Sequence, residues 1–242
     1  MALYGLIADV HGNFEALTAV LASLDALRVD RILCLGDLVG YNADADRCVE
    51  LIADRHIACV AGNHDLIAIG QLGLERCAAR PAFALRRTRK TLSSASRRYL
   101  ADLPLSRVEE DLVAFHGSSR DPSEYLRTPT QLELAARPVS AGWPGTRVCL
   151  FGHTHEPLVH RTSLGISFVN PGSVDAARRL DKTASFATFD SASGLVALRC
   201  VSYDDAQAEG RACEGGYRMT AIDEALARPA RLLRRIATRL EW

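Results

Sequence analysis

Apolar and polar positions alternate along the first half of the chain in two different rhythms. Leu3-Tyr4-Gly5-Leu6-Ile7-Ala8 is a short continuous apolar run, the pattern of a buried strand. Residues 14–27 then place Phe14, Leu17, Val20, Leu21, Leu24 and Leu27 at helical spacing. Arg31 to Leu35 reads as a second strand, Asp46 to Ala53 as a helix and Ile57 to Val60 as a third strand. This alternation predicts βαβ units and a mainly parallel sheet.

Residues 66–101 read as helical, with punctuation only at Gly70, Gly73 and Pro81. Leu112 to Phe115 is a strand candidate, and 117–127 is polar and turn-rich. A helix is predicted to start at Thr128, with Pro129 in its first position and Gln131 completing a capping box. Arg147 to Phe151 is another strand. From 157 to 202 short β runs take over: Leu158–His160, Ile166–Val169, Ser185–Phe189 and Leu195–Val201. They are expected to form a second, largely antiparallel sheet. The tail, residues 214–242, sets Ile222, Ala225, Leu226, Leu232, Leu233, Ile236 and Leu240 at helical intervals, a surface for docking on the body or on a second copy of the chain.

Composition narrows the class. The 242 residues are 48% hydrophobic and 24% charged, enough apolar content for a substantial core in one domain. Lys plus Arg equals Asp plus Glu at 29 each, so no global field favours a polyanion, and stable nucleic-acid binding is not expected. The local cluster Arg86, Arg87, Arg89, Lys90, Arg97 and Arg98 reads as a solvated helix face. The seven cysteines are odd in number and contain no C-x-x-C pair, which fits reduced thiols and a cytoplasmic location. The first apolar run leads straight into Asp9 and His11, so it reads as structure and not as a signal peptide. No apolar stretch approaches the ~20 residues that span a bilayer.

The candidate chemistry lies where the strands end. Strand one runs into Asp9-Val10-His11-Gly12-Asn13, strand two into Gly36-Asp37, and strand three into Gly62-Asn63-His64-Asp65. Later strands run into His116-Gly117 and Gly152-His153-Thr154-His155. Ligands of open α/β sheets bind outside the carboxyl ends of the strands, so five segments deliver polar side chains to one edge. Asp, Asn and His suit Mn²⁺, Fe, Zn²⁺ or Ni²⁺. Asp9 and His11 are two apart, as are His153 and His155, a spacing that puts both members of a pair on one side of an extended strand.

The ordered set D-x-H, G-D, G-N-H-D, H-G, G-H-T-H resembles the calcineurin-like metallophosphoesterase superfamily across residues 9 to 155. The turn Asn170-Pro171-Gly172-Ser173 is similar to one in its small bacterial phosphodiesterase branch. The resemblance implies a two-sheet α/β/β/α sandwich with a di-metal site at the strand carboxyl ends. It implies that Asp9, His11 and His155 bind one divalent ion, that Asn63, His116 and His153 bind a second, and that Asp37 bridges them, Mn²⁺ being the first choice. A bridging water or hydroxide would attack phosphorus. His64 resembles the family's non-ligand histidine, which either protonates the leaving oxygen or orients the phosphoryl group. Asn13 and Arg120 are candidates for substrate contact, Arg120 because a guanidinium just after His116 could clamp a phosphate.

The choice of ester is narrowed by one departure. The Ser/Thr protein phosphatase branch reads G-D-x-V-D-R-G after strand two, whereas this chain reads Gly36-Asp37-Leu38-Val39-Gly40-Tyr41-Asn42, without the second Asp and the Arg. A small-molecule phosphodiester, nucleotide-derived among the candidates, is the expected substrate. A phosphomonoester, or a metal-binding module without catalysis, are the alternatives. Residues 66–146 are expected to form the rim that sets specificity.

Overall fold

A computed structural model describes residues 1–175 and 182–224. Ten strands form two five-stranded sheets. Sheet A contains β1 (Leu3–Ile7), β2 (Arg31–Cys34), β3 (Ala58–Cys59), β9 (Thr183–Asp190) and β10 (Val196–Ser202), in the order β10-β9-β1-β2-β3. Sheet B contains β4 (Ser106–Glu109), β5 (Leu112–Phe115), β6 (Val148–Leu150), β7 (Leu158–Arg161) and β8 (Ser167–Asn170), in the order β4-β5-β6-β8-β7. In sheet A the parallel strands β1, β2 and β3 run out to one edge and antiparallel pairings with β9 and β10 complete the other, whereas in sheet B parallel β5, β6 and β8 are flanked on both sides by antiparallel strands. The α/β/β/α sandwich is therefore observed, but its second sheet is not the late antiparallel one expected from the sequence. β7 and β8 extend the sheet of β5 and β6, while β9 and β10 return to pair with β1. Periodicity fixes which face a strand buries, not which strand it joins.

Side-chain alternation builds the layers. Tyr4, Leu6 and Ala8 of the first strand region meet Leu112, Ala114, Val148 and Leu150 of sheet B in one interior between the sheets. On the outer face of sheet A, Ile7 packs with Leu17, Val20, Leu21 and Leu24 of helix α1 (Phe14–Ala26) and with Val49 and Ile52 of α2 (Ala45–Asp54). On the outer face of sheet B, Val113, Phe115 and Cys149 meet Leu132, Ala136 and Val139 of α6 (Pro129–Gly142). The start of α6 follows the sequence pattern: Thr128 and Gln131 cap each other's backbone, with Pro129 first in the helix.

The region 66–101 is three helices, not one. α3 spans Asn63–Ala68, α4 Ala79–Thr91 and α5 Ser94–Ala101, with a 3₁₀ turn at Leu74–Arg76 between the first two. Asn63, His64 and Asp65 thus open a helix rather than end a strand. In the basic cluster, Arg89 donates to the carbonyls of Ile67 and Leu72 and Arg97 to that of Leu92, whereas Arg86, Arg87, Lys90 and Arg98 are exposed. A further helix, α7 (Asp205–Glu214), was not signalled by its polar, alanine-rich sequence. Most of the expected helical tail, residues 225–242, lies outside the described residues. No helix among the described residues is long and apolar enough to cross a membrane. None of the seven cysteines forms a disulfide among the described residues, and Cys34, Cys48, Cys59 and Cys149 are buried.

Candidate metal centre

The loops after β1 and β2 are zipped together beyond the strands. Asp9 N donates to Gly36 O at 3.0 Å, His11 N to Asp37 O at 2.9 Å and Gly12 N to Leu38 O at 2.8 Å. This pairing sets Asp9, His11 and Asp37 side by side. Across the gap between the sheets, His153 N donates to Asp9 Oδ2 at 3.1 Å, and on the sheet B side Gly152 N donates to His116 O at 2.8 Å. The turn at Asn170 supports this loop: the Asn170 amide donates to Gly152 O at 2.7 Å, and Ser173 Oγ donates to Asp9 O at 2.9 Å.

Five residues of the cluster adopt left-handed backbone without being glycine: Asp9 (φ 56°), His11 (52°), Asp37 (56°), His153 (64°) and His155 (63°). Such residues cost of order 1 kcal/mol or more each and persist where the surroundings over-determine them. Gly62 shows how tight the packing is, since a Cβ there would lie 2.1 Å from Asp37 Oδ1.

The side chains converge. Asp9, His11 and His155 bring ligand atoms within 4.8 Å of one another, and so do Asp37, His116 and His153. The first trio has the members of one set expected from the sequence, and the second joins Asp37, the expected bridge, to His116 and His153 of the other set. His11 Nε2 lies 3.0 Å from His155 Nε2, and His155 Nε2 lies 3.3 Å from Asp9 Oδ1. His116 Nε2 lies 3.2 Å from Asp37 Oδ2 and 3.1 Å from Asn63 Oδ1. His64 is drawn in as well, forming a third such group with His11 and Asp37. All of these residues are buried.

The outer nitrogens explain the orientation of three rings. His116 Nδ1 donates to Leu35 O at 2.7 Å and His11 Nδ1 to Val39 O at 3.3 Å, which turns both Nε2 lone pairs inward. His153 Nε2 donates to Ser123 O at 3.1 Å, leaving its Nδ1 free. Asp9 Oδ1 is buried without a hydrogen-bond partner. Lone pairs packed this closely, beside an orphaned carboxylate oxygen, fit divalent cations. Charge tells the same story. Burial pushes the His116 pKa down, but Asp37 and Asp9 outweigh it and lift it to about 10. Burial likewise pushes the Asp37 carboxyl up, yet His116, His64 and His11 hold it well below the usual carboxylate range. Burial and neighbouring His116 bring His153 down to about 4, leaving a neutral ring.

Two residues that sequence reasoning passed over hold the loops. Asp65, its pKa raised to about 7 by burial and by Asp37, accepts from the amides of Asp37 (2.8 Å), Val39 (3.2 Å) and Gly62 (2.9 Å). The signal available was its place in Gly62-Asn63-His64-Asp65, ahead of the apolar Leu66-Ile67-Ala68. Arg218 donates to Tyr41 O at 2.8 Å and to Asn42 Oδ1 at 2.9 Å, and no local pattern marks it. The two expected substrate contacts already have partners within the protein. Asn13 Oδ1 caps α1 through Ala16 N at 3.1 Å, and its amide donates to Asp175 at 2.9 Å, so both polar groups are already bonded within the protein. Arg120 is exposed and pairs with Glu124 at 2.7 Å.

Beside His155 opens a cleft of about 650 Å³. Ala78, Arg80, Pro81 and Ala84, within residues 66–146, line one wall, and Asn13 lines the cleft as well. Tyr203, Asp205, Glu209, Tyr217 and Arg218 line the other, which the sequence did not indicate.

A family model described as the calcineurin-like phosphoesterase superfamily domain matches residues 2–194. An uncharacterised protein of Methanocaldococcus jannaschii is 30% identical over 224 residues, covering 84% of this chain and 88% of its own. The crystal structure of a metallophosphoesterase from Sphaerobacter thermophilus is 34% identical with a TM-score of 0.72, covering 89% of this chain and 95% of that one. A hypothetical protein from Pyrococcus horikoshii shares the fold at TM-score 0.78 and 22% identity, over 90% of this chain and 95% of its own. The motif order, the two-sheet sandwich and the buried Asp/His cluster agree with these matches, and the chain belongs to the calcineurin-like phosphoesterase superfamily.

Proposed function

We propose that the chain is one metallophosphoesterase domain that hydrolyses a small phosphodiester at two divalent cations, Mn²⁺ in the first instance, in the cytoplasm. The observation that carries this reading is the convergence of Asp9, His11, Asp37, Asn63, His116, His153 and His155 from five segments into one buried cluster. Asp9, His11 and His155 hold one cation; Asn63, His116 and His153 hold the other; Asp37 faces both. When bound, the pair of cations supplies Lewis acidity to the phosphoryl oxygens and makes a water nucleophilic at neutral pH.

The chain's own residues do the rest. The hydrogen bonds to Leu35, Val39 and Ser123 fix which nitrogen of each ring faces inward. His64 meets the phosphoryl or leaving oxygen. Asn13 caps α1 and holds Asp175. Arg120 gives up its exposed pair with Glu124, worth ~0–1 kcal/mol, to bind phosphate. The cleft beside His155 supports a diester over a monoester, because it offers room for a second organic substituent, nucleotide-derived esters included.

The test is hydrolysis of bis(p-nitrophenyl) phosphate and p-nitrophenyl phosphate by chelated protein before and after Mn²⁺ is returned. Activity is expected only with metal, and faster on the diester. A faster monoester would overturn the diesterase reading, and two bound metals with no activity on either would point to a binding module. On the same diester, Arg120→Ala is expected to raise KM with kcat kept.

A further inference from the structure

His64, like His155, lacks the carbonyl anchor that orients the other rings of the centre. His11, His116 and His153 each anchor one nitrogen on a backbone carbonyl. His64 Nδ1 is buried with no hydrogen-bond partner. Its backbone is fixed, since His64 N donates to Asp37 Oδ1 at 2.8 Å, but that bond leaves the imidazole free to turn about χ2. Torsions of this kind are broad, so something other than a hydrogen bond must set the plane of the ring.

Packing supplies it. Gly40 lies directly under the ring: a Cβ there would sit 2.5 Å from His64 Nδ1, and the residue has φ +145°, so glycine is required twice over. The Tyr41 ring lies 5.2 Å from the His64 ring at 43°, and edge-on to His11 at 4.6 Å and 83°. His11 closes the third side at 4.6 Å. Tyr41 is itself held by its main chain, where Arg218 grips its carbonyl and the neighbouring Asn42. Gly40 and Tyr41 are also the two positions where this chain departs from the D-R of the protein phosphatase signature.

We propose that Tyr41 is the positioning residue of His64, setting the plane of its imidazole by ring-face contact in place of a hydrogen bond. This rests on the reading of His64 as the group that meets the phosphoryl or leaving oxygen. Offset and tilted ring pairs have preferred geometries, so a fixed tyrosine restricts a neighbouring imidazole without bonding to it. Tyr41 touches no reacting atom in this scheme, and its effect on the reaction passes through His64.

The test is a double-mutant cycle on the Mn²⁺-loaded protein with a diester substrate, metal content being measured for every variant. His64→Ala is expected to lower kcat about 100-fold with two metals kept. Tyr41→Ala is expected to lower kcat roughly tenfold with KM within about twofold and two metals kept, and Tyr41→Phe to stay near the parent rate. Tyr41→Leu, which keeps apolar bulk, should match Tyr41→Ala and guards against a folding defect. The decisive result is the double variant: Tyr41→Ala/His64→Ala should be no slower than His64→Ala alone. Multiplied losses, or loss of metal from Tyr41→Ala, would overturn the positioning role while leaving the His64 reading intact. Full activity in His64→Ala would overturn that reading and the proposal with it.

Discussion

Each oxygen of Asp37 meets a different part of the centre: Oδ1 accepts from His64 N at 2.8 Å, and Oδ2 lies 3.2 Å from His116 Nε2. One carboxylate therefore fixes the start of α3 and faces the sheet B ligand set. Asn in its place keeps the volume and one acceptor but removes the charge that balances two cations. Asp37→Asn is expected to lower kcat by at least about 100-fold and to leave fewer than two metals bound after dialysis, with the circular dichroism unchanged. Two retained metals at near-parent rates would remove Asp37 from the bridging position. Asp65 belongs to the same scale. Its three amide contacts make it the reason that Asp37 is where it is, although a lone acid after a histidine carries no such message in sequence.

At the scale of the element, what could be read from the sequence was what depends on local rules. β1, β2, α1, α2 and the capped start of α6 follow from apolar spacing and cap residues, and the strand-end clusters follow from them. The partners of the late strands did not follow, because β9 finds β1 across more than 170 residues of chain and pairing leaves no local mark. Gly70 and Gly73 mark the first break within 66–101, but the second was hidden, since Leu92 and Ser93 end one helix and cap the next without a proline or glycine between them. Asn13, which lines the cleft beside His155, also has a structural part that the sequence did not mark. It stands among ligand residues in sequence, yet its oxygen caps α1. Asn13→Ala is accordingly expected to lower stability by about 1–2 kcal/mol, while kcat and KM of the metal-loaded protein stay within about twofold. A large rise in KM at unchanged stability would return Asn13 to the substrate.

The whole molecule is two sheets sharing one interior, with the centre across their seam. Asp9, Asp37 and Asn63 follow strands of sheet A, and His116, His153 and His155 follow strands of sheet B. Cations held by both sets would bind the folded chain far better than the unfolded one. At a hundredfold excess over Kd each site would add about 2.7 kcal/mol. Chelation is therefore expected to lower the melting temperature by roughly 5–10 °C or more, and Mn²⁺ to restore it, as followed by scanning calorimetry. An unchanged melting temperature with metal demonstrably removed would mean that the seam is held by apolar packing alone.

The place of β1 in sheet A carries a consequence for the order of events during synthesis. β1 leaves the ribosome well before β9, yet its two neighbours are β2 on one side and β9, ending at Asp190, on the other. Asp9 and His11 must wait for His155, some 140 residues later, before their own trio is complete. A nascent chain halted before residue 153 would lack part of both proposed ligand sets. Metal capture by both sets would then wait until residue 155 has been made.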